Sequence, residues 1–368
     1  MNARSPAAWQ TLLARQARDF AAWPVSGGRF VDEATCLAAV LLAIGAAREL
    51  GIGNVGWAAF SAYMVIRPDL GETVHRGGSR VVGTAVGVML ACLLAPAVSH
   101  SGIRMAAALA LFGGICLYLA LLDRRAFGAL FAGMAFAMVL IDGMEFPDEA
   151  LGILARARFL DVCVGSGAAL LVRTIAAHIV RRGPAASYAL VPVTRRAATR
   201  LWHPVACVHA LQGAIALALI PWVWTSFHVR SLSQSSTTIM AVMMVPVLDT
   251  AISLHPTSRR MRHRFVGCGI GALFATGILI LSHRSPLGMT LAVCCGVVAG
   301  RHIENGALDI GYVGTQFALA VLVVLVPDGD SGIDVHAGLS RLIGIVVGIA
   351  LLHPVRHLVN AWRERVSQ

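Results

Sequence analysis

Long apolar blocks, joined by short connections rich in arginine or in acidic residues, run through almost the whole sequence. Hydrophobic residues make up 57% of the 368-residue chain, charged residues make up only 13%, and the mean hydropathy is +0.73. Soluble domains are about one quarter charged. A helix of about 20 apolar residues spans the hydrocarbon core of a bilayer, which is roughly 30 Å thick. The pattern therefore predicts an all-α, polytopic membrane protein.

The apolar blocks number about twelve and form two groups of six, although ten or eleven membrane spans also fit the pattern. The predicted spans cover residues 34–50, 53–67, 80–98, 103–122, 126–141, 157–178, 205–224, 236–250, 264–282, 286–300, 307–327 and 337–355. We divide the chain into a cytoplasmic amphipathic lead-in, a first six-helix repeat, a basic cytoplasmic linker, a second six-helix repeat and a cytoplasmic tail. These regions are residues 1–33, 34–180, 181–204, 205–358 and 359–368.

The basic charge lies mainly between the apolar blocks. The formal net charge is +11, and the sequence contains arginine but no lysine. We expect no nucleic-acid partner, because no polar domain is present to offer a basic face. Arginine-rich connections alternate with acidic ones at 142–150 and 328–335. Since basic residues are retained on the cytoplasmic side, this alternation predicts that both termini are cytoplasmic and that both acidic loops lie outside.

A motif of two arginines and two glycines begins the third and the ninth predicted spans. Its positions are Arg76, Arg80, Gly83 and Gly87 in the first copy and Arg260, Arg264, Gly267 and Gly271 in the second. At nearly the same offset, Arg158 and Gly165 match Arg341 and Gly348. Two matches at one offset indicate a duplication. Because each half contains six spans, we predict two parallel repeats related by a pseudo-two-fold axis along the membrane normal. The glycines of the motif are predicted helix-packing positions.

The stretch 67–71 and the two copies of the arginine–glycine motif resemble the fusaric acid resistance and aromatic acid exporter family, over about residues 35–358. This resemblance implies a multi-pass protein of the bacterial inner (cytoplasmic) membrane. It also implies export of organic, mainly aromatic, carboxylic acids, driven by the proton motive force or through a passive anion pathway. The implied partners are the lipid bilayer, a small organic anion, and either a periplasmic adaptor (membrane fusion) protein or further copies of the chain.

The chain departs from the larger members of that family. It has almost no soluble cytoplasmic regions, and the second copy has Cys268 and Gly344 where the first has Thr84 and Asp161. The alternative function is therefore a non-transporting membrane scaffold or assembly subunit that keeps the transporter fold. The sequence contains no phosphate-binding loop, nucleophile elbow or metal-binding signature, so we predict no enzymatic activity, no cofactor and no metal site.

Six arginines are candidate anion-binding residues, because a guanidinium stays charged and matches a carboxylate through two parallel hydrogen bonds. Symmetry predicts a ring of four at the cytoplasmic mouth: Arg76, Arg80, Arg260 and Arg264. The alternative is that these charges only set the membrane topology. Arg158 and Arg341 are predicted at the outer ends of their spans. They line an anion path, or Arg158 forms a salt bridge with Asp161.

Carboxylates within or beside the spans are candidates for carrying a coupling proton, because burial disfavours their charged form. Asp161 and Asp309 are the main candidates, followed by Asp249. A further group of polar residues either contacts substrate or forms hydrogen bonds between helices: His209, Gln212, Thr315 and Gln316.

Overall fold

The computed structural model describes residues 27–122, 127–147, 149–182, 203–229, 231–245, 255–283, 285–306, 308–326 and 335–366. Several sequence predictions concern residues outside these ranges. They include most of the 1–33 lead-in, most of the 181–204 linker, residues 328–334 of one acidic loop, and Asp249.

The described residues form thirteen helices. Six belong to the first half of the chain: α1 (Gly27–Glu49), α2 (Val55–Val65), α3 (Leu70–Val98), α4 (Gly102–Leu122), α5 (Phe127–Glu145) and α6 (Leu151–Arg182). Seven belong to the second half: α7 (Pro204–Ala218), α8 (Ile220–Phe227), α9 (Leu232–Met243), α10 (His255–Leu281), α11 (Pro286–Glu304), α12 (Gly311–Leu325) and α13 (Val335–Val366). Pro221 lies just after the break between α7 and α8, where it cannot donate a backbone hydrogen bond.

Nine helical spans of the described chain are long and apolar enough to cross a membrane, counting α7 and α8 together. The all-α, polytopic prediction is therefore confirmed. Helices α2, α9 and α12 contain 11, 12 and 15 residues. At 1.5 Å per residue they extend only about 17–23 Å, which is less than the hydrocarbon core. The spans predicted at 53–67, 236–250 and 307–327 are thus helices too short to cross a bilayer unaided.

The local sequence explains why α2 ends so early. Arg67 precedes Pro68, and a residue before proline is driven out of the helical conformation. The backbone is already extended at Ile66, where ψ is 134°. The next helix begins at once, because the Asp69 carboxylate accepts a hydrogen bond of 2.7 Å from the Glu72 backbone N–H and caps α3.

The contact between α3 and α5 is repeated by α10 and α12. A Cβ atom on Gly87 would lie 2.2 Å from the carbonyl oxygen of Ala132, and one on Gly271 would lie 2.6 Å from that of Phe317. These helices approach so closely because neither glycine carries a side chain. Such close contacts are made by all four glycines of the repeated motif: Gly83, Gly87, Gly267 and Gly271.

A second pair of contacts, α2 with α6 and α9 with α13, also recurs. A Cβ on Gly165 would lie 2.2 Å from the Ala58 carbonyl oxygen, and one on Gly348 would lie 2.8 Å from the Ser235 carbonyl oxygen. The same two glycines face the side chains of Ser61 and Thr238, respectively, so these two positions correspond as well. The internal repeat read from the motifs therefore reappears in how the helices pack.

The two halves interlock through exchanged contacts. Helix α4 packs on α7 and α5 packs on α9, whereas the corresponding helices α11 and α12 pack on α1 and α2. One polar contact joins α5 to the start of α9: the Glu145 carboxylate accepts hydrogen bonds of 2.8 and 2.6 Å from the backbone N–H groups of Ser231 and Leu232. An acidic side chain at a helix N-terminus is favoured by the helix dipole.

Large apolar side chains cover the outer surface of the long helices. Examples are Leu93 on α3, Ile103 on α4 and Leu273 on α10, all of them well exposed. In a water-soluble protein such a surface would cause aggregation, but lipid chains solvate it. The lipid bilayer is therefore the partner of this surface.

Candidate functional site

The site is built around Arg80, which lies in the third turn of α3 and is buried. Its Nη2 donates a hydrogen bond of 3.1 Å to Ser61 Oγ on the short helix α2. Its guanidinium carbon lies 4.3 Å from the centre of the Phe131 ring and 5.6 Å from that of Phe60. Among the described residues, the Nε and Nη1 groups of Arg80 have no hydrogen-bond partner. A buried cation is thus held largely by aromatic rings, with donors left over.

Arg158 on α6 faces the same cavity. Its guanidinium carbon lies 4.4 Å from the centre of the Trp57 ring, and its Nη2 lies 3.4 Å from Asp142 Oδ2 on α5. Arg80, Arg158, Trp57 and the fully buried Asp161 all line this cavity, which has a volume of about 30 Å³. That volume holds roughly two water molecules, so the cavity is too small for larger ligands in this conformation.

The second half contributes a matching pair of arginines. Arg264 on α10 is buried and donates to Thr238 Oγ1 at 3.1 Å and to Gln316 Oε1 at 2.9 Å. Arg341 on α13 is also buried, and its guanidinium carbon lies 5.7 Å from the centre of the Phe60 ring. Within the part of the chain that is described, Arg341 Nε and Nη1 have no hydrogen-bond partner. Arg341 therefore reaches from the second half to the aromatic wall of the first.

Four guanidinium groups and two carboxylates meet between the halves. We call this set the arginine cluster: Arg80, Arg158, Arg264, Arg341, Asp142 and Asp161. Arginine stays protonated in proteins, so the cluster has an excess of two positive charges when both carboxylates are ionised. Uncompensated charge at membrane depth is costly and marks functional sites. The cluster can bind an anion that accepts its unused N–H groups.

The predicted mouth ring is divided by the structure. Arg80 and Arg264 lie inside the arginine cluster, whereas Arg76 and Arg260, one turn earlier, are only partly buried. The guanidinium carbon of Arg76 lies 4.7 Å from the centre of the Phe127 ring. Arg260 stands in the same way over Tyr312, at 4.6 Å. The sequence predicts Arg80 at the cytoplasmic mouth and Arg158 at the outer end of its span. This separation is wrong, because both arginines line one cavity.

Other predicted residues lie elsewhere. Asp309 is exposed and forms an ion pair with Arg259, outside the arginine cluster. His209 shares a hydrogen bond of 2.8 Å with the Met243 carbonyl oxygen, and Gln212 donates to Asn360 at 2.9 Å, so both bond between helices.

Two further features of the site were not predicted from the sequence. The first is its aromatic wall: Trp57, Phe60 and Phe131. The second is a run of six polar residues on α9, positions 233–238, all of them buried. This run interrupts an otherwise apolar chain, so composition alone could have indicated an unusual helix there. The aromatic residues gave no such signal, because they are ordinary in membrane helices.

The fold and the site together define a polytopic membrane protein with a buried cationic site between two related halves, an arrangement typical of transporters. The chain belongs to the fusaric acid resistance protein family. The family model so described matches residues 34–202, and the fusaric acid resistance protein-like model matches residues 215–353, so that each half is matched separately. Neither a curated protein nor a solved structure shows a significant match to the chain. Proteins of this family are membrane transporters rather than enzymes.

Proposed function

We propose that the protein exports small organic carboxylic acids, mainly aromatic ones, across the bacterial inner membrane. The observation that carries this proposal is the arginine cluster, with its excess positive charge and unused N–H groups inside the membrane region. A carboxylate is the matching ligand, because it accepts two parallel hydrogen bonds from a guanidinium. Family membership supports transport over the alternative of a scaffold without transport.

The surroundings of Arg80 suit an acid that carries a ring. Phe60 and Phe131 already pack on the guanidinium, and a flat aromatic ligand can take the place of one of these contacts by stacking. The cavity volume of about 30 Å³ is too small for such a ligand, so binding requires the wall to move. The short helix α2 carries Trp57, Phe60 and Ser61, and its movement would widen the cavity.

Transport in proteoliposomes tests this function directly. We expect liposomes with the purified protein to take up labelled hydroxybenzoate faster than empty liposomes do, and we expect Arg80→Gln and Arg341→Gln to remove most of that difference. Arg259→Gln is the matched control, because Arg259 is an exposed arginine on α10 that lies outside the cluster. Wild-type liposomes that take up the acid no faster than empty ones would support the scaffold instead.

We also propose that both termini are cytoplasmic, as the alternation of arginine-rich and acidic connections predicts. The test is labelling of single cysteines from outside the cell in a background without native cysteines. We expect Phe146→Cys, in the predicted outer loop, to react with an impermeant maleimide, and Leu190→Cys, in the predicted linker, to react only after the cells are broken. The reverse pattern would invert the topology.

A further inference from the structure

A second buried charge network lies away from the arginine cluster, where the start of α1 meets the end of α11. Its centre is Arg301, one of the largest fully buried side chains of the described residues. Arg301 Nε and Nη2 donate to the two carboxylate oxygens of Asp32 at 2.7 and 3.1 Å. This is the two-bond geometry of a strong arginine–carboxylate pair, and it joins the two halves of the chain.

Most of this network is fully satisfied. Asp32 also accepts a hydrogen bond of 2.7 Å from Asn305 Nδ2. Glu304 accepts a hydrogen bond of 3.0 Å from the Tyr63 hydroxyl and lies 3.3 Å from Arg301 and 3.4 Å from Arg67. Each of these carboxylates therefore has a guanidinium partner, and the network fixes their charge.

Glu33 and His302, the chain neighbours of Asp32 and Arg301, form a second pair at the same contact. Glu33 Oε1 lies 2.8 Å from His302 Nδ1, and both side chains are almost completely buried. The other ring nitrogen, Nε2, lies 3.4 Å from Arg29 Nη2, and Arg29 also donates to the His302 carbonyl oxygen at 3.0 Å. A carboxylate and an imidazole at hydrogen-bonding distance are both titratable groups, so such a pair can take up or release one proton.

Charged groups of both halves stand close to this pair in the described part of the chain. Arg29 contacts the His302 ring and its carbonyl oxygen. Asp32 and Arg301, which form the two-bond pair, are the chain neighbours of Glu33 and His302, and the other charged or titratable members of their network are Arg67, Glu304 and Tyr63. A proton bound by Glu33 and His302 therefore adds charge beside a buried network that joins the two halves.

We propose that Glu33 and His302 bind one proton that is exchanged for the exported anion, an inference that rests on the proposed function. Because the pair joins α1 of the first half to α11 of the second, its protonation changes the strength of a contact between the halves. Tyr63, which belongs to the same network, lies on α2 only two residues after Ser61, the partner of Arg80. The short helix α2 thus connects the proton site to the arginine cluster.

Among the described residues, the corresponding contact in the other half has no such network. Where α4 packs on α7, a Cβ on Gly113 would lie 2.4 Å from Leu217 Cδ1, and one on Gly114 would lie 2.9 Å from Ala214 Cβ. Small and apolar side chains are thus sufficient to hold two such helices together. The buried charges therefore distinguish the contact of α1 with α11 from the contact of α4 with α7.

Accumulation of labelled hydroxybenzoate in proteoliposomes tests the proton site, with the membrane potential clamped at zero and the lumen one pH unit more acidic than the medium. One proton exchanged for one anion predicts accumulation in the acidic lumen approaching about tenfold, because one pH unit corresponds to a factor of ten in a proton-coupled equilibrium. Leakage of the neutral acid would accumulate it on the alkaline side instead, so the direction alone separates the two routes.

We expect Glu33→Gln and His302→Asn to lose this accumulation but still to exchange labelled for unlabelled hydroxybenzoate at equal pH. Glu49→Gln is the matched control, because Glu49 is an exposed carboxylate on the same helix as Glu33, and it should accumulate the acid like the wild type. If one variant does not fold, the other decides. Accumulation by either folded variant at the wild-type level would overturn the proton site. A wild-type protein that exchanges the anion without accumulating it would also overturn it, whereas absent exchange would refute the proposed function itself.

Discussion

The two halves of the protein place equivalent arginines, Arg80 and Arg264, in different surroundings. Gly87 packs against Ala132, and the equivalent Gly271 packs against Phe317. The residues before these contact positions, Phe131 and Gln316, are therefore also equivalent. Phe131 offers an aromatic face to Arg80, whereas Gln316 offers an amide oxygen to Arg264.

The two arginines differ accordingly in how many of their hydrogen-bond donors have no partner. Among the described residues, Arg80 has two N–H positions without partners, and Arg264 has only Nη2. Each arginine also donates a hydrogen bond to a hydroxyl group, Arg80 to Ser61 and Arg264 to Thr238. The aromatic contact holds a cation without consuming its donors, so Arg80 keeps them for a ligand. The amide contact consumes a donor, so Arg264 mainly ties α10 to α9 and α12.

The largest expected effect follows from this difference. We expect Arg80→Gln to weaken binding of hydroxybenzoate roughly ten- to hundredfold, because a hydrogen bond to a charged group contributes about 1.5–3 kcal/mol. Arg264→Gln should leave affinity within a few-fold and should instead lower the thermal stability of the purified protein. Arg80→Lys should fall between, since lysine keeps the charge but loses the planar fork. Equilibrium binding and thermal unfolding in detergent measure the two effects, and equal losses of affinity would end the distinction.

The comparison also shows what the sequence could predict. The repeat and the membrane class follow from the sequence, because duplicated motifs and apolar blocks are visible in one dimension. The repeated motifs also single out Arg80, Arg158, Arg264 and Arg341, whose role in binding an anion stays a prediction. The position of each arginine along its helix was harder to predict. The apolar pattern predicts that the third span begins at residue 80, which places Arg80 at a mouth, whereas α3 begins at Leu70.

The contacts between the halves could not be predicted from the sequence. Asp32 and Arg301 lie far apart along the chain, and neither belongs to a repeated motif. Asp32 lies in the residues that were assigned to a cytoplasmic lead-in, and Arg301 reads as an ordinary cytoplasmic charge after a membrane span. Only the packing of α1 on α11 brings them together.

The equivalent glycine contacts of the two halves can be compared through the stability of alanine variants. A methyl group on Gly87 would lie 2.2 Å from a backbone oxygen, against 2.6 Å for Gly271, so we expect Gly87→Ala to destabilise more. Overpacking of this kind costs about 1–3 kcal/mol. Gly78→Ala, on the same helix as Gly87, is the matched control, because nothing lies within 4 Å of the added atom. Thermal unfolding of the three variants in one detergent gives the order, and a loss for Gly78→Ala as large as for Gly87→Ala would contradict it.

Exchanging Phe131 and Gln316 tests whether these two partners decide which arginine binds the ligand and which one stabilises the fold. We expect Phe131→Gln to reduce affinity for hydroxybenzoate several-fold, because the new amide would occupy a donor of Arg80 that is otherwise available to the ligand. Gln316→Phe should leave a donor of Arg264 free and lower stability with little change in affinity. Titration of both variants against wild type provides the measurement. If Gln316→Phe lost affinity as much as Phe131→Gln, the two half-sites would share the ligand.

The smallest expected difference concerns the hydroxyl partners. Ser61→Ala removes the hydrogen bond of 3.1 Å from Arg80, and Thr238→Ala removes the bond of the same length from Arg264. A single hydrogen bond to a charged group contributes about 1.5–3 kcal/mol, but Arg80 can turn its freed donor toward a bound carboxylate and recover part of the loss. We therefore expect Ser61→Ala to change affinity about threefold or less and Thr238→Ala to reduce stability without changing affinity. Thr238→Ser keeps the hydroxyl and serves as the control for loss of the methyl group. A loss of affinity for Thr238→Ala larger than that for Ser61→Ala would place the ligand beside Arg264 and reverse the roles of the two halves.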